Sequence, residues 1–163
     1  MFEALLALRL ALKEQNTEQA AAAAATLEQH RQRCQMTVNG VQVTELRDLD
    51  DRLSGYLELF GTDGKYYLAK FSEIDSLQLK QPQSLLDTVW RRAEIIIKDG
   101  PSGEVFVPMT YQGSVRMSER LGRDTQWQEL HPQLVIIEAN PKNKKSGLSL
   151  NIISELYQYI NTL

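Results

Sequence analysis

The chain has 163 residues, enough for about one domain with a core of its own. Its 18 basic and 21 acidic side chains give a formal net charge of −3, which does not favour nucleic-acid binding. The lone cysteine, Cys34, excludes an intrachain disulfide. The apolar N-terminus has an early acid and no basic n-region, and it is shorter than a membrane span. We therefore expect a cytoplasmic protein that does not insert into a membrane.

The first predicted element is a helix over residues 2–14 that is apolar on nearly every face. Such a helix must be buried, either in its own core or against a partner. We therefore take its apolar side chains as the candidate partner-binding residues: Phe2, Leu5, Leu6, Leu8 and Leu12.

A second helix is predicted over residues 17–35, with six consecutive alanines at 20–25. Alanine has the highest helix propensity because it loses no side-chain entropy. Asn16 with Gln19 three residues later resembles a capping box, which marks a restart of the chain. The predicted inward stripe is Ala20, Ala23, Ala24, Leu27, Arg31 and Cys34. Residues 1–35 therefore predict an antiparallel helical hairpin.

The rest of the chain, residues 36–163, favours a mostly antiparallel β-sheet domain with short helices. Strands are predicted at 56–60, 65–69, 76–80, 92–98, 104–108 and 134–138, and helical turns at 48–53, 71–75 and 84–90. Residues 36–46 are interpreted as a loop with a turn at 39–40. The alternation after residue 148 predicts a short strand that runs into a terminal helix. The fold class is therefore α+β.

No motif in the chain predicts a catalytic residue, a metal site or a cofactor. Residues 99–103 form a Gly-rich loop, but a strand follows where a phosphate loop needs a helix and a Lys-Ser/Thr pair, so a hairpin turn is the better interpretation. His30 and Cys34 have a helical spacing that suits two metal ligands, and nothing completes a site. The acids at 48–51 are interpreted as the cap of a helical turn. Trp90 and Trp127 are interpreted as core anchors, and an exposed tryptophan would instead mark an interface.

Several segments resemble a known family in order and spacing. Residues 49–53, followed by Ser54, are similar to the family's Asp-x-Asp-x-Arg-Leu-Gly. Residues 65–71 resemble RYYWVPF, and residues 85–90 resemble LRDLLW. Residues 93–114 resemble PA…DG…IPxxYPGS, with Gln112 in place of the proline of Tyr-Pro-Gly-Ser. Residues 121–127 resemble LxRxTxW. The family is the ImpE/SciE/TagJ family of type VI secretion accessory proteins.

This resemblance implies a non-enzymatic accessory protein in the bacterial cytoplasm. It also implies protein partners, namely the small subunit of the contractile sheath and the AAA+ ATPase that recycles contracted sheath. The hairpin at 1–35 would then be the remnant of a longer helical region of the family. No binding residue is carried over from the family.

Two other hypotheses stay open at this point. The chain could be a small hydrolase in which His131 and two acids meet in a cleft. It could also be a scaffold that self-associates through the first helix, because pairing with a second copy would bury the surplus apolar face.

Overall fold

Two helices precede a five-stranded antiparallel sheet, which confirms the α+β class. In this computed structural model the described residues are 2–38, 41–43, 46–48, 50–112, 114–121, 127–131 and 134–137. The chain order of the elements is α1 (Phe2–Lys13), α2 (Thr17–Gln29), β1 (Met36–Val38), β2 (Val41–Val43), β3 (Tyr56–Gly61), β4 (Tyr66–Lys70), a 3-10 turn (Phe71–Glu73), β5 (Ile74–Leu79), α3 (Leu86–Val89), β6 (Trp90–Ile97), β7 (Ser102–Pro108), α4 (Met117–Arg120), β8 (Trp127–His131) and β9 (Leu134–Ile137).

The predicted helical hairpin is present, with a tight connection between α1 and α2. The backbone turns at Gln15, whose φ is 57°. Asn16 then caps α2, because its side-chain oxygen accepts the Gln19 N–H at 3.1 Å. The two helices enclose a small core with alanines on the α2 side, which permits close approach: Leu5, Leu8, Ala11, Ala20, Ala21, Ala24 and Leu27.

The second helix ends at Gln29, so the prediction that it continues to residue 35 was wrong. Its last turn is closed by His30, whose backbone N–H donates to the Thr26 carbonyl while its ring Nδ1 lies 2.8 Å from the same oxygen. Arg31 then turns inward and its Nη2 pairs with Glu28 at 2.8 Å. Residues 30–35 contain neither Gly nor Pro, so the sequence carries no ordinary stop signal at this end of the helix.

Residues 36–46 contain a short hairpin where a loop was predicted. Met36–Val38 pairs antiparallel with Val41–Val43. Three-residue strands are too short to show an alternating pattern, which explains the wrong prediction. The turn predicted at 39–40 lies outside the described residues.

The central sheet has the strand order β4-β3-β7-β6-β5, with every neighbouring pair antiparallel. Side chains alternate between two faces, as a strand period of two requires. The inner face holds the main core, which includes Leu57, Leu59, Ala93, Ile95 and Val107. On the outer face the helical hairpin covers one corner of the sheet, where Tyr56 is buried and Leu68 is partly buried against the helical core.

The glycine-rich loop after β6 is a hairpin turn that leads directly into β7, as the sequence predicts. Asp99 adopts a left-handed conformation with φ of 53°, and Gly103 has φ of 153°. Gly100 serves a different purpose, because an added Cβ there would lie 2.9 Å from a methyl group of Ile97. The loop therefore closes the sheet.

The prediction that Trp90 anchors the core was wrong, because its side chain is 38% exposed on the outer face. The register of β6 places Arg91, Ala93 and Ile95 on the inner face, so Trp90 must point outward. The side chain of Trp127 and the C-terminal strand and helix predicted after residue 148 lie outside the described residues. Within the described residues, no helix is both long and apolar enough to cross a membrane.

Candidate functional site

The acidic loop, residues 47–54, forms the most charged interior of the described chain. Asp48 accepts the N–H of Asp50 at 2.8 Å, and Asp50 accepts the N–H of Arg52 at 2.8 Å. An acid at every second position thus makes two successive side-chain turns, which Asp favours because its carboxylate reaches the backbone two residues ahead. The sequence predicts a helical turn over residues 48–53 that is capped by these acids. The structure has one such turn, in which the N–H groups of Leu53 and Ser54 donate to the Asp50 carbonyl at 3.0 and 2.9 Å.

Three ion pairs stabilise the loop: one connects it to the helical hairpin, and two lie within it. Arg47 Nη1 lies 2.9 Å from Glu28 of α2, and its Nη2 lies 2.5 Å from Asp51. Arg52 pairs with Asp50 and also donates to the carbonyl of Gln112 at 2.8 Å. We call these residues and Tyr111 the buried charge cluster: Glu28, Arg31, Arg47, Asp48, Asp50, Asp51, Arg52 and Tyr111.

Asp48 lies at the centre of this cluster, and its side chain is closed off from solvent. The Tyr111 hydroxyl lies 3.0 Å and 2.9 Å from its two carboxyl oxygens, and the whole residue is only 2% exposed. Burial and the neighbouring carboxylate of Asp50 raise the pKa of Asp48 to about 7, although hydrogen bonds from Asp50 N–H and Tyr111 oppose this rise. Burial and Asp48 raise the pKa of Tyr111 well above its usual value, so the phenol stays protonated and donates.

The cluster balances its charge when Asp48 carries a proton. Four acids, Glu28 and the three aspartates of the loop, face three arginines. At Glu28 burial acts against ionisation, but hydrogen bonds from Arg31 and Ser54 hold its pKa below the usual value. A neutral Asp48 leaves equal numbers of opposite charges in an interior where an unpaired charge is costly.

Ser54 stands where the family motif has glycine, and it occupies a glycine-type conformation with φ of 49°. This left-handed region is unfavourable for residues that carry a Cβ. The Ser54 hydroxyl donates to Glu28 at 2.8 Å, which offsets that cost by joining the loop to α2. Serine here therefore serves as a link between the two parts of the fold.

This geometry suits a structural role, in which the cluster connects the acidic loop to α2, better than a catalytic one. A buried acid with a pKa near neutrality is a common feature of active sites. Here both oxygens of Asp48 already have donors, and the cleft beside it has a volume of about 10 Å³, just enough for one water molecule. The side chain of His131, which the hydrolase hypothesis requires, lies outside the described residues.

The structure divides the predicted partner-binding residues of α1 into two faces. Leu5 and Leu8 are buried against α2, and Leu12 is partly buried. Phe2 and Leu6 are more than half exposed, and so is Leu10, which the candidate set omitted. We call Phe2, Leu6 and Leu10 the α1 surface. Their spacing of four residues places them on one side of the helix.

The metal interpretation gains no support from the described residues. Among them, no group of three His, Cys, Asp or Glu side chains is placed to hold a metal ion. Cys34 lies beyond the end of α2, so the helical spacing with His30 does not hold.

Sequence reasoning did not single out Arg47, which precedes the predicted acids, and it also missed the cluster roles of Glu28 and Tyr111. Their partners lie 26 and 63 residues away along the chain, so no local pattern joins them. The one available signal was that two motif segments, the acidic loop and the Tyr-x-Gly-Ser segment, are both parts of the same family resemblance.

Comparisons with known proteins agree with that resemblance. The profile of the family described as ImpE protein matches residues 40–138, which include the acidic loop, the sheet and Tyr111. The type VI secretion system accessory component TagJ of Pseudomonas aeruginosa is 34% identical over 85 residues, which are 50% of this chain and 30% of TagJ.

A solved structure shares both sequence and fold with the chain. The crystal structure of protein VPA1032 from Vibrio parahaemolyticus superimposes with a TM-score of 0.80 and 35% identity, over 83% of this chain and 52% of that one. The chain therefore spans about a third of the Pseudomonas relative and about half of the Vibrio protein.

Proposed function

The chain belongs to the ImpE protein family, and from this premise we propose that it is a non-enzymatic accessory protein of a type VI secretion system. It acts in the bacterial cytoplasm and docks on the small subunit of the contractile sheath, on the AAA+ ATPase that recycles contracted sheath, or on both. The name of the Pseudomonas relative, an accessory component of that system, supports this role.

The observation that carries the docking proposal is the α1 surface. Phe2, Leu6 and Leu10 are 58%, 52% and 57% exposed in a row along one helix. Single exposed apolar side chains are ordinary, but an aligned row marks a surface that another helix or a groove can cover. Leu5 and Leu8 hold the helix in place from behind, and Leu12 lies partly buried beside them.

The test is binding of the purified sheath subunit and ATPase to a Leu6→Asp/Leu10→Asp variant. A charge at each position places a carboxylate in the apolar contact, so we expect affinity to fall by about a hundredfold or more. Both side chains are exposed, so the variant should keep the wild-type circular dichroism spectrum.

The matched control is Val115→Asp/Met117→Asp, which changes two side chains that are each 70% exposed elsewhere on the surface. We expect this control to bind like the wild type. Equal binding by the α1 variant would overturn the docking surface. Failure of the folded wild type to bind either partner would overturn the proposed function.

Self-association through α1 is a second candidate that the same exposed row favours. In that case the wild type would sediment as an oligomer, and Leu6→Asp/Leu10→Asp would convert it to a monomer. Sedimentation of both proteins without partners decides this, and a monomeric wild type argues against the scaffold.

A further inference from the structure

Strand β3 pairs along most of its length with β4 but only at one end with β7. Residues 56–60 all have a partner in β4. On the other side, within these fully described strands, the register joins Phe60 to Phe106 and Gly61 to Val105 and goes no further. This short contact, which we call the seam, divides the sheet into a two-stranded part, β3 and β4, and a three-stranded part, β5, β6 and β7.

Pro108 explains why the seam is short. Gly61 donates its N–H to the Lys65 carbonyl at 2.8 Å, on the β4 side of the strand. Because the backbone groups of a strand point alternately to its two neighbours, those of Phe60 and Glu58 point toward β7. The register at Phe60 makes Glu58 and Pro108 the next pair that would be hydrogen-bonded. Proline has no N–H to donate, so the ladder stops there.

Beyond Pro108, side chains take over from the backbone ladder. The Tyr111 hydroxyl donates to Asp48 at 2.9 Å, and Arg52 Nη2 donates to the Gln112 carbonyl at 2.8 Å. Asp48 and Arg52 lie in the acidic loop that leads into β3, whereas Tyr111 and Gln112 follow β7. We call these two contacts the clasp. The two parts of the sheet are thus joined by a two-residue ladder at one end and by the clasp at the other.

The small cleft beside Asp48 takes its lining from both sides of the seam. Leu57 and Glu58 come from β3, and Pro108 and Met109 come from the end of β7 and the residue after it. On the inner face the two parts share the apolar core. Apolar contacts are non-directional, so they hold the two parts together without fixing the angle between them.

The helical hairpin belongs to the two-stranded part. Tyr56 of β3 is buried in the helical core, Leu68 of β4 packs against that core, and Arg9 of α1 pairs with Glu58 of β3 at 2.8 Å. We propose that the seam is a hinge, at which the two-residue ladder and the clasp break together while each part of the sheet stays folded. Opening of the hinge turns the hairpin, with its exposed α1 surface, relative to β5, β6 and β7.

The test is residue-resolved amide hydrogen exchange of the full chain. The amides of Phe60 and Phe106 face each other across the seam, whereas those of Leu59 and Val107 face β4 and β6. We expect the two seam amides to exchange about a hundredfold faster than the two comparison amides, because a local opening exposes them without global unfolding. Equal rates in the two pairs would overturn the hinge.

Low concentrations of urea separate local opening from global unfolding. Urea accelerates an opening in proportion to the surface that the opening exposes. We expect steep acceleration at Leu59 and Val107, which need global unfolding, and little at Phe60 and Phe106. The same urea dependence at all four amides would mean that the seam opens only when the chain unfolds, and it would overturn the proposal.

Tyr111→Phe tests whether the clasp opens together with the ladder. The variant lacks the hydroxyl that donates to Asp48, so exchange at Phe60 and Phe106 should become about tenfold faster. The matched control is Tyr67→Phe, which removes a hydroxyl bonded to Asp63 within the two-stranded part and should leave the seam amides unchanged. Unchanged seam rates in Tyr111→Phe would overturn the coupling between clasp and ladder.

Pro108→Val tests the cause of the short ladder. The variant gains an N–H that can donate to the Glu58 carbonyl, so exchange at Phe60 and Phe106 should become about tenfold slower. Seam rates equal to those of the wild type would show that the missing donor does not limit the ladder. These measurements need no partner protein, so the hinge and the docking function succeed or fail separately.

Discussion

Asp48 is a carboxyl group whose environment favours the protonated form. It is buried beside Asp50 and accepts the Tyr111 hydroxyl, and its pKa is raised to about 7. In the unfolded chain an aspartate titrates near about 3.9. Between these two values the folded state binds more protons than the unfolded state, so the free energy of unfolding falls as pH rises.

We therefore predict that Asp48→Asn flattens the pH dependence of stability between about pH 4 and pH 7. The amide is neutral at every pH and still accepts hydrogen bonds from Tyr111 and the Asp50 N–H. Urea denaturation of the wild type and of Asp48→Asn across this pH range gives the difference between their free energies of unfolding. This difference isolates the contribution of Asp48 from those of the other titrating groups. If the free energy of unfolding has the same slope against pH in both proteins, the raised pKa of Asp48 is contradicted.

Ser54 gives a second prediction at this scale, because its strain and its hydrogen bond act in opposite directions. Ser54→Ala keeps the left-handed backbone and loses the bond to Glu28, so it should lower the free energy of unfolding by about 1–2 kcal/mol. Ser54→Gly loses the same bond but relieves about 1 kcal/mol of strain, so it should be close to the wild type. Equal losses in both variants, measured by urea denaturation, would show that the strain is negligible.

At the scale of elements, α1 has a buried face that stabilises the fold and an exposed face that contributes little to stability. Leu8 is fully buried between the helices, whereas Leu6 is 52% exposed. Leu8→Ala should therefore cost about 2–5 kcal/mol of stability through lost burial and a cavity. Leu6→Ala should cost under about 1 kcal/mol, because surface changes rarely exceed that range. Thermal denaturation of the two variants checks this division, and similar losses would contradict it.

Glu28 is the contact that joins the α2 element to the acidic loop. It pairs with Arg31 and Arg47, which are themselves buried, and it accepts the Ser54 hydroxyl. Glu28→Gln removes the charge opposite two buried guanidinium groups. Its own side chain is 37% exposed, so we expect a loss of about 1–3 kcal/mol rather than the full cost of a buried pair. Glu14→Gln, an exposed acid of the same hairpin, is the control and should be neutral.

The elements also show where prediction from sequence succeeds. Helix α1, the start of the alanine-rich helix α2 and the alternating strands β6 and β7 were predicted to within a few residues, because their periodicity is local. The end of α2 was not predicted, because residues 30–35 carry no Gly or Pro stop signal. The outward direction of Trp90 was not predicted either, because the sheet register decides it. The candidate site divides in the same way, since the Asp-x-Asp turns are local and the contacts to Glu28 and Tyr111 are not.

At the scale of the whole molecule, the helical hairpin and the sheet share contacts that should make them unfold together. Tyr56 of β3 is part of the helical core, and the buried charge cluster joins α2, the acidic loop and the segment after β7. The domain boundary proposed at residue 35 stays a prediction about chain organisation. Whether the helical hairpin and the sheet unfold cooperatively is a separate question, which stability measurements answer.

We predict that amide hydrogen exchange gives the same free energy of opening for the slowest amides of α2 and of β6. In the Glu28→Gln variant the α2 value should fall below the β6 value, because the hairpin loses its charged link while keeping its own core. A hairpin that already opens independently in the wild type would contradict the shared unit.

The sequence by itself determined the α+β class, the helical hairpin, the antiparallel pairing and the family, because all of these depend on local periodicity, turn chemistry and motif order. Only the tertiary structure decided which face of α1 is exposed, that Asp48 is buried beneath Tyr111, and that Trp90 points to the outer face of the sheet beside Phe60. These features depend on which distant segments meet. Burial, the pKa of an acid and the exposure of a ring are properties of the neighbours that folding brings together.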